Sequence, residues 1–279
     1  MGRQRKPRMA ICYDFDGTLA PGSMQEYNFI PQLNMTSKQF WQDVSRQARL
    51  HYADETIAYM YVMLEKAARS ESVKVTRKAF ADYGRTIKLF AGVKNWFARI
   101  NGFAKSQGVI LEHYIISSGI REMIEGTSIA GEFRKIFASS FIYDKSGAAK
   151  WPALAINYTT KTQFLFRINK DVLDVWDNRK INKYISKENR RIPFDRMIYI
   201  GDGFTDIPCM KLVKDQGGHS IAVYKPNSRK KKLAKELLEE NRVNFVVPAD
   251  YNGGSLLDRK VKLIIRKIAA DYALVIGKR

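Results

Sequence analysis

The chain is poor in cysteine and histidine, short of acidic side chains, and without a long apolar run. Its two cysteines, Cys12 and Cys209, stand far apart in apolar contexts with neither disulfide nor metal-ligand spacing. That excludes a disulfide-stapled scaffold and suits a reducing, intracellular setting. The three histidines, His51, His113 and His219, share no spacing that would bind a metal. No apolar stretch approaches the roughly 20 residues needed to span a bilayer. The basic start, Arg3 to Arg8, is followed by only five residues before Asp14, too few for the apolar core of a secretory signal. Lys6 stands where a myristoylation signal has Ser or Thr. A cytoplasmic protein is the expectation, with no repeat and no low-complexity tract.

The deficit of acid is large: 28 Asp and Glu face 48 Lys and Arg, a formal charge of +20 over 279 residues. Such a field attracts anions, so phosphorylated metabolites, phosphoproteins and nucleic acids are all candidate partners. Part of the excess sits in local runs, Arg3 to Arg8 and Ser228 to Lys232, which read most simply as solvated surface.

Against that background the acidic residues that are present cluster. Met9 to Tyr13, Tyr114 to Ile116 and Met197 to Ile200 read as short apolar strands, each followed by polar residues: Asp14-Phe15-Asp16-Gly17-Thr18, Ser117-Ser118-Gly119 and Gly201-Asp202-Gly203-Phe204-Thr205-Asp206. If the three strands lie parallel in one open sheet, their carboxyl ends meet at a single crevice, where such sheets bind ligands. Four carboxylates and a hydroxyl gathered there suit a hard divalent cation better than a core. Taken alone, Asp14 to Gly17 is also an ordinary Asp-Gly turn, and Ser117, Ser118 and Asp206 are also ordinary helix caps.

Between the first two motifs the pattern is helical, with Thr36 or Ser37, Asp54 and Thr76 as caps ahead of apolar stripes. Phe40, Trp41, Tyr52, Tyr59, Tyr61 and Tyr83 form either the core of this helical layer or a substrate lid. A helix over Gly92 to Ser106 leads into the second strand, a further strand covers Ile136 to Tyr143, and the turn residues Asp144 to Gly147 follow. Lys161 to Lys170 reads as a helix, Asp171 to Arg191 as a polar periphery, and Ser220 to Tyr224 and Asn244 to Val247 as two buried strands around a helix over Lys231 to Glu240.

Asp14-Phe15-Asp16-Gly17-Thr18-Leu19 resembles the first motif of the haloacid dehalogenase superfamily, Ile116-Ser117-Ser118-Gly119 its second, Lys161 its third and Gly201 to Asp206 its fourth. The resemblance implies an α/β fold, a Rossmann-like open parallel sheet core formed by residues 1–20 and 90–279. An inserted helical cap domain over 21–89 would follow, placed as in the phosphoserine-phosphatase-like branch. It further implies a phosphatase in which Asp14 is the nucleophile, Asp16 the general acid and base, and Mg²⁺ is held by Asp14, the Asp16 carbonyl, Asp202 and Asp206. Ser117, with Ser118 as its competitor, and Lys161, with Lys170 as its competitor, would contact the phosphate. The expected substrate is a small or medium anionic phosphomonoester. A phosphotransferase on the same residues is the near alternative, and a basic nucleic-acid-associated protein with a non-catalytic core the distant one, since no reading helix or base-stacking pattern is evident.

Overall fold

The computed structural model describes residues 6–226 and 230–276, so Arg3 to Arg5 and Ser228 and Arg229 of the basic runs lie outside the described residues. In chain order the main elements begin with β1 (Arg8–Tyr13), α1 (Phe29–Gln32), α2 (Ser37–His51), α3 (Glu55–Ala68), α4 (Arg77–Gly84) and α5 (Val93–Ser106). They continue with β2 (Ile110–Ile120), α6 (Arg121–Glu125), β3 (Lys135–Tyr143), β4 (Ala149–Leu154), α7 (Lys161–Lys170) and α8 (Asn178–Asn182). The chain closes with β5 (Met197–Gly201), α9 (Ile207–Asp215), β6 (His219–Tyr224), α10 (Lys230–Glu239), β7 (Phe245–Pro248) and α11 (Leu256–Ile276). The strands form one sheet in the order β4-β3-β2-β1-β5-β6-β7, parallel throughout except for β4.

Successive strand residues point to opposite faces, and both faces of this sheet are covered. Met9, Ile11, Tyr13, Ile115, Ile198 and Ile200 join one apolar cluster, while Ala10, Cys12, Tyr114, Ile116, Met197 and Tyr199 join the other. That is why the strands read as continuous apolar runs. The first cluster runs on without a break into α1 to α4 through Phe29, Phe40 and Phe80, and Phe80 stacks on Phe141 of β3 at 5.6 Å between ring centres. The helical segment leaves and rejoins the sheet at one point, because the Phe90 amide donates to the Leu19 carbonyl at 2.9 Å.

The helix caps operate as their residue types suggest. Thr36 and Gln39 form a capping box on α2, Asp54 accepts from the amides of Thr56 and Ile57, and Thr76 accepts from Ala79. The aromatic set divides: Phe40, Tyr59 and Tyr83 are buried, Trp41 is half-buried, and Tyr61 and Tyr52 face solvent. The sequence reading did not include β4, whose Pro152 and polar Lys150 disguise it. Proline is tolerated there because β4 is the edge strand. β2 also runs further than its apolar core, through Ser117 and Ser118 to Ile120, with an irregular register against β3 between Ser117 and Ile120. Among the described residues no helix is long and apolar enough to cross a membrane.

Candidate active site

β1 is central, with β2 on one side and β5 on the other, so the chain crosses the sheet in opposite directions from it. This places Asp14 at a topological switch point. The Asp14 amide donates to the Ile200 carbonyl at 2.9 Å, which keeps the residue pinned to β5 after the strand ends. The following turn is closed by the Leu19 amide on the Phe15 carbonyl and the Gly17 amide on the Ala20 carbonyl. Gly17 has φ +77°, and a Cβ there would stand 2.0 Å from a carboxylate oxygen of Asp202. Only glycine permits both the backbone conformation and the approach of the first motif to the fourth. Gly201 serves likewise, since its Cβ would meet the Asp206 carboxyl carbon at 2.5 Å.

Carboxylate oxygens of Asp14, Asp202 and Asp206 all lie within 4.8 Å of one another, and all three residues are buried. The ammonium of Lys161, at the start of α7 and 1% exposed, lies 3.0 Å from Asp14 Oδ1 and donates to Asp206 Oδ1 at 2.7 Å. The Tyr199 hydroxyl donates to that same Asp206 oxygen at 2.7 Å, and the amides of Asp202 and Gly203 donate to the other, Oδ2, at 3.2 and 3.3 Å. Asp206 therefore organises the loop and the lysine together. Two carboxylates hold the Lys161 ammonium firmly charged against the opposing effect of burial. Burial, then Asp206, push the Asp14 carboxyl up to about 7, with Lys161 pulling the other way and Asp202 adding to the rise. One ammonium does not offset three carboxylates. An all-oxygen, carboxylate-rich cluster with surplus negative charge fits a hard divalent cation such as Mg²⁺.

The Asp16 side chain is separate from that cluster. Its Oδ1 accepts from the Met24 amide at 3.0 Å, and the residue lines a cavity of about 270 Å³ between the sheet edge and the helical segment. Burial first, and then the charge of Asp14, hold the Asp16 carboxyl well above the usual carboxylate range, the Met24 amide opposing them. Ser117 is buried within β2, where its hydroxyl oxygen accepts from the Gly119 amide at 3.1 Å, whereas half-buried Ser118 and buried Gly119 line the cavity beside Asp16. Lys170 points away: its ammonium donates to the carbonyls of Ile181 and Lys183 at 2.7 and 3.0 Å and ties down the polar periphery.

A profile of the family described as haloacid dehalogenase-like hydrolase matches residues 11–211, which span all four motifs. The chain belongs to this hydrolase family. Among the curated proteins, a relative from Borreliella burgdorferi described as an uncharacterized protein is 29% identical over 280 residues, covering 91% of this chain and 95% of its own. A family hydrolase from Salmonella enterica serovar Typhi superposes with a TM-score of 0.58 at 16% identity, over 94% of this chain and 73% of its own. A substrate-bound phosphoserine phosphatase superposes with a TM-score of 0.55 at 14% identity, over 87% and 93%. At these identities the superpositions speak to the fold: the hydrolase has the Rossmann-like α/β architecture of the family.

Tyr199 and Gln25 escaped the reading of the sequence, and Tyr59 entered it only as one of the aromatics of a helical core or lid. Tyr199 carries a signal in retrospect, because strand alternation puts it on the face that α7 covers. Tyr59 of α3 donates its hydroxyl to the Ser118 carbonyl, and Gln25 lines the cavity. Neither contact leaves a trace in local sequence.

Proposed function

We propose that the protein is a Mg²⁺-dependent phosphomonoesterase that works through an aspartyl-phosphate on Asp14. The observation that carries this reading is the Asp14 carboxylate held 3.0 Å from the Lys161 ammonium, within the Asp14, Asp202 and Asp206 cluster, at the carboxyl edge of the central strand. Asp14, Asp202 and Asp206, with the Asp16 carbonyl, would hold the cation. When bound it would offset the repulsion between carboxylate and phosphate dianion and polarise the phosphoryl oxygen.

The side chains supply the remaining chemistry. An Asp14 oxygen forms a bond to phosphorus while the bond from phosphorus to the leaving alkoxide breaks. Asp16, whose carboxyl is held well above the usual carboxylate range by burial and the charge of Asp14, gives its proton to that alkoxide. The ionised Asp16 then takes a proton from water as the water oxygen attacks phosphorus, and the bond to Asp14 breaks to release phosphate. Lys161 faces the charge that develops on the transferring group and holds Asp14 in its attacking orientation. Ser118 and Gly119 line the cavity onto which Asp16 opens. A cavity of about 270 Å³ suits a small substrate rather than a polymer.

Phosphate release from an aryl phosphate, measured with Mg²⁺ and with excess chelator, tests the reading together with acid-stable capture of the phosphorylated protein. Undiminished release in chelator, or full activity of Asp14→Asn, would overturn it.

A further inference from the structure

The molecule is strongly cationic, yet the cavity that leads to Asp16 is not. Among the described residues that line it there is no Lys, Arg or His, while Asp54 and Glu55 bring carboxylates and Trp41, Tyr59 and Tyr158 bring aromatic rings. Asp54 is fixed in place by the amides of Thr56 and Ile57 on one oxygen and by the Asn157 amide group on the other, at 3.0 Å. Glu55, the next residue, is exposed at the mouth. The second observation is independent of these charges. Gln25 is 2% exposed, lines the cavity, and has an amide oxygen with no hydrogen-bond partner. A buried acceptor left without a donor is unfavourable, and a ligand that brings an N–H or O–H group relieves it.

We propose that this cavity takes a small phosphomonoester whose alcohol part carries an ammonium group and no carboxylate or second phosphate. The proposal rests on the phosphatase reading and names its substrate class. The cation donates to Gln25 Oε1, lies against the aromatic faces and is attracted by Asp54 and Glu55. An anionic substituent in the same place loses its hydration with no cation to receive it, because Lys161 is already engaged by Asp14 and Asp206. The basic exterior then serves to draw the phosphate end inward, and the acidic cavity sorts what is attached to it.

The test compares O-phosphoethanolamine with 2-phosphoglycolate, substrates of similar size that end in an ammonium and a carboxylate respectively. With Mg²⁺ present, kcat/KM for O-phosphoethanolamine is expected to exceed that for 2-phosphoglycolate by about tenfold or more. Gln25→Leu, or Gln25→Met if the first variant does not fold, should lower O-phosphoethanolamine turnover more than 2-phosphoglycolate turnover, and Glu55→Lys at the exposed mouth should shrink or invert the ratio. Calorimetric binding of both compounds to Asp14→Asn with Mg²⁺ reads the same preference without turnover. Equal treatment of the two compounds, or preference for the carboxylate, overturns the proposal while aryl phosphate hydrolysis leaves the phosphatase reading standing. A binding preference for the ammonium without hydrolysis of any phosphate upholds the proposal and sinks that reading.

Discussion

On the sheet side of the crevice, Lys161, Asp14, Asp206 and Tyr199 are buried and joined by ion pairs and hydrogen bonds, each carried by an element locked into the sheet or packed against it. On the helical side, Gln25, Trp41, Glu55 and Tyr59 border an open cavity and reach the sheet through few polar contacts, such as the Tyr59 hydroxyl on the Ser118 carbonyl. The first side holds a fixed geometry, and removing Lys161 would leave two buried carboxylates without their cation. On the second side the exposed Glu55 can change at small cost to the fold, whereas Gln25 and Tyr59 are buried. On the proposed reading the first side carries the chemistry and the second the selectivity, so one scaffold could retain its reaction while its substrate changes.

The sharpest way to break this comparison is at Asp14. Asp14→Asn should lose on the order of 10⁴-fold or more in kcat while its circular dichroism and melting remain close to the parent's, because a carboxamide is no nucleophile. Asp16→Asn should cost roughly 10²–10⁴-fold with alkyl phosphates and clearly less with nitrophenyl phosphate, whose leaving group needs no proton. Equal losses would remove Asp16 from the acid role. The same role fixes a pH dependence: with alkyl phosphates the rate should fall as pH rises through the elevated pKa of Asp16, and this limb should vanish in Asp16→Asn.

Lys161→Met tests the buried side by stability rather than rate. It strips the cation from two buried carboxylates, so a loss of about 3–5 kcal/mol in denaturant unfolding is expected, smaller at low pH where the carboxyls protonate. A loss below about 1 kcal/mol would mean that Asp14 and Asp206 are held by other groups.

Mg²⁺ gives a graded test. The folded protein raises the Asp14 pKa to about 7, so without metal its contribution to stability is full below the unfolded-state value and disappears as pH climbs towards 7. A bound cation favours the ionised form and reverses that trend. The rise in melting temperature on adding Mg²⁺ should therefore be larger at pH 8 than at pH 5, and a pH-independent rise would place the cation elsewhere. The smallest effect is expected at Tyr59→Phe, about 1 kcal/mol in stability with little change in aryl phosphate turnover. A large loss of turnover there would show that the helical side takes part in the chemistry.

The motifs, the strands that carry them and most helix caps were legible in the sequence because they depend on neighbours in the chain: apolar alternation, a capping side chain, a glycine at a turn. The edge strand β4 was hidden by Pro152, whose missing amide matters only if the strand has a partner on that side. The choice between Lys161 and Lys170 lay beyond local pattern. Both stand on one helix, and only the packing of α7 against the sheet turns Lys161 towards Asp14 and leaves Lys170 to cap a loop.

By itself the sequence determined the alternating strands, the acidic residues at their ends and the basic surplus, since each is a property of residue type and spacing. Tertiary structure alone decided that Asp206 binds the lysine and the fourth-motif loop together, that Tyr199 joins them, that Gln25 is left with an unpaired oxygen, and that an acidic cavity opens in a basic protein. The physical reason is common to all four: each depends on groups brought together from distant parts of the chain, and the strength of charge and hydrogen bonding there is set by burial, which no stretch of sequence carries on its own.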